Sequence, residues 1–350
     1  MQHSGRSGGQ MERSPRPSTV RVCSPLRPPC RACLKRLHQK TQTGQAAEVM
    51  AIHQLSSFVD KGSQKNKLCS RKSVLRKGGA GRGRVTASAA GGTVQYPEDY
   101  DEVLEQVRIS TAAALKDGKQ LIEIEFPTAG LDSTAGDAEG GMEMSMSMTA
   151  IREFCKMFVQ TDQAPKTRIF FPDKKESVLA RGGTFEGTPF KIDFLTSPSG
   201  LSDIGWEKKV KMTDRVQPSD EIFVVAYPYF NVNEMLAVEE LWKDSAGPSG
   251  RPIIVFNGEM DRIRSGYYPP FFYPKLGQLA KTFLPKFEAA YYIHNFKGRY
   301  GGKLFRAYPG PWQVLRQNAQ GQLEVIQESE TMPTLKEVAL NILPTINIGI

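Results

Sequence analysis

Residues 96–345 predict a three-layer α/β domain, a doubly wound and mostly parallel sheet with a partly antiparallel C-terminal portion. Helix-period and strand-period segments alternate along most of this stretch. Several strand segments are apolar throughout, as expected of strands covered on both faces. The last strand-like segments follow one another directly, which favours antiparallel pairing at that end. About 250 residues suffice for one large core, and no fixed-period repeat is evident.

The elements can be justified in order. Pro97 is followed by Glu98, Asp99, Asp101 and Glu102, an acidic first turn that suits the helix macrodipole. Tyr100, Val103, Leu104, Val107, Thr111 and Ala114 then recur at helical spacing until Asp117-Gly118 stops the run. A strand over 121–126 ends at Pro127. The Gly/Ser/Met-rich stretch 128–147 reads as a mobile loop, and a helix over 148–159 places Met148, Ile151, Cys155 and Phe158 on one face. Strands at 168–171 and 190–195 flank a helix at 174–181. The segment 221–227 is almost wholly apolar, as a central strand would be. A helix at 232–243, a strand at 253–256 and a helix at 275–287 follow. Strands at 289–294, 304–307, 312–316 and 323–327 and a closing helix at 334–342 complete the domain.

Charge divides the chain. Residues 1–90 hold 18 Lys/Arg against 3 Asp/Glu, whereas the rest holds 28 against 34, so a net of +15 precedes a net of −6. The overall +9 therefore does not describe a basic folded domain, and nucleic-acid binding by the domain is not expected. The leader is rich in Arg, Ser and Gly and broken by prolines, a composition that cannot offset chain entropy by burial. It lacks the apolar core of a secretory signal and has the basic, acid-poor character of an organellar transit peptide. Val85-Thr86-Ala87 resembles a plastid processing site, which places maturation near Ala87 and the protein in the chloroplast, with mitochondrial import as the alternative because the two transit types overlap in composition. Four of the 5 cysteines (Cys23, Cys30, Cys33, Cys69) lie in the leader. The Cys30/Cys33 spacing has no second half-site to make a zinc centre. No run approaches the roughly 18 apolar residues that a bilayer span needs, so any membrane contact is expected to be peripheral.

Catalytic signatures are missing. There is no Walker phosphate loop, the domain has no GxGxxG, and no GxSxG nucleophile elbow occurs. His294 is the only histidine after residue 90 and reads as a structural ring at the end of an aromatic strand. Met142, Met144, Met146 and Met148 could serve as soft copper ligands, but a methionine-containing loop explains them as well. Neither a cofactor nor a metal is expected. Ligands of open α/β sheets sit outside the carboxyl ends of strands. There the sequence offers Asp173 and the polar run Asn257, Glu259, Asp261, Arg262 and Arg264, a possible phosphate or metal site. The plainer reading is a loop whose carboxylates and arginines pair with one another.

Two stretches, 262–275 and 296–312, interleave basic and aromatic residues. Single-stranded nucleic acid could stack on them, but Tyr-Pro-Pro-Phe-Phe-Tyr-Pro also has the composition of a protein-contact surface. Partner contact is assigned to Tyr267, Tyr268, Phe271, Phe272, Tyr308 and Trp312, with Arg262 and Arg264 orienting the first group.

Five short segments carry a resemblance: Phe170-Phe171-Pro172-Asp173, Val225-Ala226-Tyr227-Pro228, Phe256-Asn257-Gly258-Glu259-Met260-Asp261, Gly266-Tyr267-Tyr268-Pro269-Pro270 and Tyr308-Pro309-Gly310-Pro311-Trp312. Spread over most of 96–345, they are similar to a plant, algal and cyanobacterial family catalogued as a domain of unknown function. That family is typified by a chloroplast protein of low photosystem II accumulation. The resemblance implies a non-enzymatic factor in the stroma or on the stromal face of the thylakoid. Its expected task is to help photosystem II assembly intermediates insert an inner antenna chlorophyll protein. The family's domain also occurs fused behind a plastid adenylate kinase, so nucleotide or phosphate binding is the alternative. The resemblance supplies no catalytic residues.

Overall fold

In the computed structural model, residues 94–134, 140–196 and 211–345 are described. The leader, with its expected processing site and its Cys30/Cys33 pair, lies outside them. Asp99 caps the first helix, α1 (Tyr100–Lys116), by accepting from the Glu102 amide, and buries Val103, Val107 and Ala114. β1 (Leu121–Glu125) leads to α2 (Gly140–Gln160), then β2 (Thr167–Asp173), α3 (Lys174–Gly182) and β3 (Lys191–Thr196). β4 (Ile222–Ala226), α4 (Val232–Leu241), β5 (Ile253–Phe256), the short α5 (Met260–Arg264) and α6 (Pro274–Thr282) follow. β6 (Glu288–Phe296), β7 (Gly302–Ala307), β8 (Trp312–Gln317) and β9 (Leu323–Ser329) close the sheet.

Among the described residues these nine strands form one sheet in the order β3-β2-β4-β5-β1-β6-β7-β8-β9. Pairing is parallel from β3 to β6 and antiparallel from β6 to β9. Strand alternation divides the core. Ile122, Ile124, Ile169, Phe171, Val224 and Phe256 pack with α1, α2 and α3 on one face. Leu121, Phe170, Phe223, Val225 and Val255 pack with α4, α5 and α6 on the other. A third cluster lies under β6–β8, where Tyr292, Leu304, Trp312 and Val314 meet Val338 and Leu343. The result is the three-layer, doubly wound arrangement expected, with an antiparallel C-terminal part.

Because α2 follows β1 on the first face and α5 and α6 follow β5 on the second, the connections after these two neighbouring strands leave on opposite sides. The same is true of β2 and β4. Open α/β sheets bind ligands in such crevices, at the carboxyl ends of the strands.

Several boundaries differ from expectation. Helix α2 starts at Gly140, eight residues before the expected start, so part of the Met-rich stretch is helical. Met is a good helix former, and its alternating spacing hides the 3.6-residue period. Ser147 and Met148 are buried while Met146 is 39% exposed. Residues 135–139 of the expected loop lie outside the described set. Helix α6 ends at Thr282 and a 3₁₀ turn, Leu284–Lys286, follows. Pro285 removes a donor that a longer helix would use. Helix α4 passes into a π turn, Trp242–Ala246. The closing helix likewise contains one, Val338–Ile342. Met260–Arg264, expected as loop, is helical.

Candidate functional site

The carboxyl ends of β4 and β5 bend sharply. Tyr227, Asn257 and Glu259 all adopt positive φ, at 33°, 50° and 44°. Such conformations cost on the order of 1–3 kcal/mol each and persist where the surroundings enforce them. Here they are enforced by ladder bonds: the Tyr227 amide donates to Phe256 O at 2.8 Å, and the Asn257 amide to Ile124 O at 2.7 Å. Asn257 Oδ1 accepts from the buried Phe126 amide at 3.0 Å, tying the end of β5 to the end of β1. Between the two strained residues, a side chain at Gly258 would stand 2.7 Å from Val255 Cγ1. Only glycine fits that approach.

Beneath this corner lies a charged network. The guanidinium of Arg264 donates to both oxygens of Glu123, at 2.8 and 2.5 Å, and to Asp261 at 3.2 Å. Tyr292 donates its hydroxyl to the other oxygen of Asp261. Glu123 is 1% exposed although its carboxylate is on a central strand. Burial pushes its pKa up and Arg264 pulls it back, while the carboxylates hold Arg264 firmly protonated. Two residues on, Glu125 accepts from the Glu259 amide at 3.0 Å. Its carboxyl is held well above the usual range, first by burial and then by Glu123, Glu259 and Asp261. His294 is shifted the opposite way, downward, by burial.

Above the network a pocket of about 230 Å³ opens between the ends of β1, β5 and β6. Glu125, Phe126, Tyr229, Arg262, Tyr267 and His294 are among its walls. Arg262 pairs with Glu259, and its guanidinium lies 5.6 Å from the Tyr229 ring centre. Among the described residues no group of three or more His, Cys, Asp or Glu is placed to hold a metal ion.

The structure brings together Asn257, Glu259, Asp261 and Arg262, all of which line this pocket. Asp173 is elsewhere, capping α3 by accepting from the Glu176 amide at 3.0 Å. The two aromatic stretches are not one surface. Tyr267, Phe271 and Phe272 are 71%, 90% and 73% exposed, and Tyr268 is half-buried beside Tyr267 and Tyr273. Trp312, expected to meet a partner, is instead 3% exposed and packs against Tyr292 at 5.1 Å. The inward register of β8 places it in the core. Tyr308 lies at the opposite end of the sheet, near the amino ends of β1 and β6, its amide bonded to Ala290 O and its hydroxyl donating to Asp117. Arg264 does not orient the exposed rings, since its donors are spent on Glu123 and Asp261. Sequence reasoning missed Glu123 and Glu125. Their signal was an acidic alternation, Ile122-Glu123-Ile124-Glu125, on a strand that the fold covers on both faces.

No helix among the described residues is long and apolar enough to cross a membrane. No curated protein and no solved structure matches this chain. One family does, over residues 97–340, which spans the whole sheet, the pocket and the exposed aromatic segment. The chain thus belongs to the family described as Domain of unknown function (DUF1995).

Proposed function

We propose that this protein is a non-enzymatic chloroplast factor that assists photosystem II assembly by docking onto a membrane-protein client through the segment 267–273. The observation that carries docking is the exposure of Tyr267, Phe271 and Phe272 together. Clustered exposed apolar rings mark interaction surfaces. The segment is also pre-shaped. Pro269 O accepts from the Phe272 and Tyr273 amides, both at 3.0 Å, and the rings of Phe271 and Phe272 stack edge to face at 5.2 Å. A stiff aromatic segment loses little entropy on docking. The compartment and the client class rest on the basic, acid-poor leader and on the family resemblance.

Replacing Tyr267 and Phe271 by Ala is the test. Neither ring is buried, so the melting temperature should stay within a degree or two, an exposed-site effect of about 0.5 kcal/mol or less. Co-purification of photosystem II assembly intermediates from intact plastids should be lost. Undiminished co-purification by the double variant would overturn the proposal.

A second reading has one observation in its favour: the pocket at the β1–β5 crevice, where α/β folds of this kind hold small ligands. A nucleotide or phosphate was the ligand expected there from sequence.

A further inference from the structure

The walls of the β1–β5 pocket point to a different ligand. Four carboxylates, Glu123, Glu125, Glu259 and Asp261, are gathered at or beneath it, against two guanidinia, Arg262 and Arg264. Both guanidinia already have carboxylate partners: Arg262 pairs through Nε with Glu259, and Arg264 pairs with Glu123 and Asp261. Among the described residues Glu125 has no cationic partner, and its one hydrogen bond comes from the Glu259 amide. Two backbone donors at the crevice are occupied too. The Asn257 amide is bonded to Ile124 O and the Phe126 amide to Asn257 Oδ1. A phosphate would enter a field in which the carboxylates outnumber the guanidinia.

That field suits the opposite charge. We propose that this pocket binds a small organic cation, an amine bearing one ammonium group, with Glu125 as its counter-ion and Phe126, Tyr229 and Tyr267 as aromatic walls. This inference rests on the second reading above, that the strand-end crevice is a ligand site. Aromatic faces attract ammonium groups, and the more so where water is excluded. An ammonium–carboxylate bond formed inside a pocket is about twice as strong as a neutral one. Burial, and after it the carboxylates of Glu123, Glu259 and Asp261, raise the Glu125 pKa, and the same carboxylates favour any other positive charge placed there. The pocket selects by sign because its own arginines are internally neutralised.

Thermal shift and calorimetry on the full-length chain test it, with choline and ethanolamine as probes and inorganic phosphate, AMP and glucose as comparisons. Both amines should raise the melting temperature, and the comparisons should not. Glu125→Gln, which replaces the carboxyl by an amide of the same shape, should keep the fold and weaken amine binding by about ten-fold or more. Tyr229→Leu, a second variant that leaves the carboxylates in place, should weaken choline binding by several-fold. Stabilisation by phosphate or AMP that is abolished by Glu125→Gln would overturn the cation and leave the strand-end site standing. So would failure of both amines alongside stabilisation by glucose. Amine binding that survives both substitutions would place the site elsewhere and overturn the strand-end reading itself.

Discussion

Arg264 holds together groups that lie far apart in the chain, since its partner Glu123 is 141 residues away. Removing one member of a buried pair leaves the other uncompensated, at a cost of about 3–5 kcal/mol. Arg264→Met should therefore lower the urea midpoint sharply, and adding Glu123→Leu should restore most of the loss. If the single variant proves as stable as the parent, the network does not hold the corner. Asn257 supports the same corner by two separable means. Asn257→Gly keeps the positive φ and loses the bond to the Phe126 amide, costing about 1–3 kcal/mol. Asn257→Ala should cost roughly 1–2 kcal/mol more, because a Cβ disfavours the left-handed conformation. Equal losses in the two variants would show that the backbone conformation carries no strain.

At the scale of the element, α4 has an unusual start. Asn231 caps it, and the carboxyl of Glu234 reaches back to accept from the Phe230 amide at 3.0 Å. Burial nevertheless raises Glu234 from the ordinary 4.5 to about 7. Its folded pKa lies above the unfolded one, so the native state binds more protons between these values. The stability that Glu234 contributes is complete below about 4.5 and is lost as pH rises through about 7. Glu123, Glu125 and Glu176 act in the same direction. Asp220, lowered by Arg168 and Lys191 in spite of its burial, acts in the other. Glu234→Gln should make the melting temperature fall less between pH 5 and 7.5 than in the parent, and an unchanged slope would contradict the assignment. Most elements could be read from the sequence because burial imposes periodicity on each segment separately. Strand order could not, because it depends on pairings such as Leu121 with Ile253, which leave no local pattern. The aromatic stretches show the same limit. Tyr267 and Trp312 sit in segments of similar composition, yet one ring is exposed and the other core, and only the neighbours supplied by β6 and the closing helix decide which.

For the whole molecule the division of charge is the leading quantity. Residues 91–350 carry a net of −6 while the leader carries +15, so any affinity of the full chain for RNA should reside in residues 1–90. Deleting them should abolish RNA retention at 50 mM salt. Submicromolar, salt-sensitive binding by the remaining domain would show that its basic residues form a patch strong enough to outweigh the acids.

Among the described residues β1 is the first strand to leave the ribosome, yet its neighbours in the sheet are β5 and β6. Its partners at Ile253 and Glu288 are more than 130 residues further along the chain. Until they emerge, the apolar ridge of Ile122 and Ile124 and both edges of the strand have nothing to pair with. The sheet therefore cannot close vectorially, from front to back, as synthesis or translocation proceeds. Long-range pairing of this kind is slow and leaves strand edges exposed to aggregation. A nascent chain arrested at residue 250 should stay protease-sensitive around β1, and one released at 345 should become resistant in a single step. For the chloroplast location proposed above, late closure has a use: during passage through a membrane pore the chain could not fold until its last strands had passed.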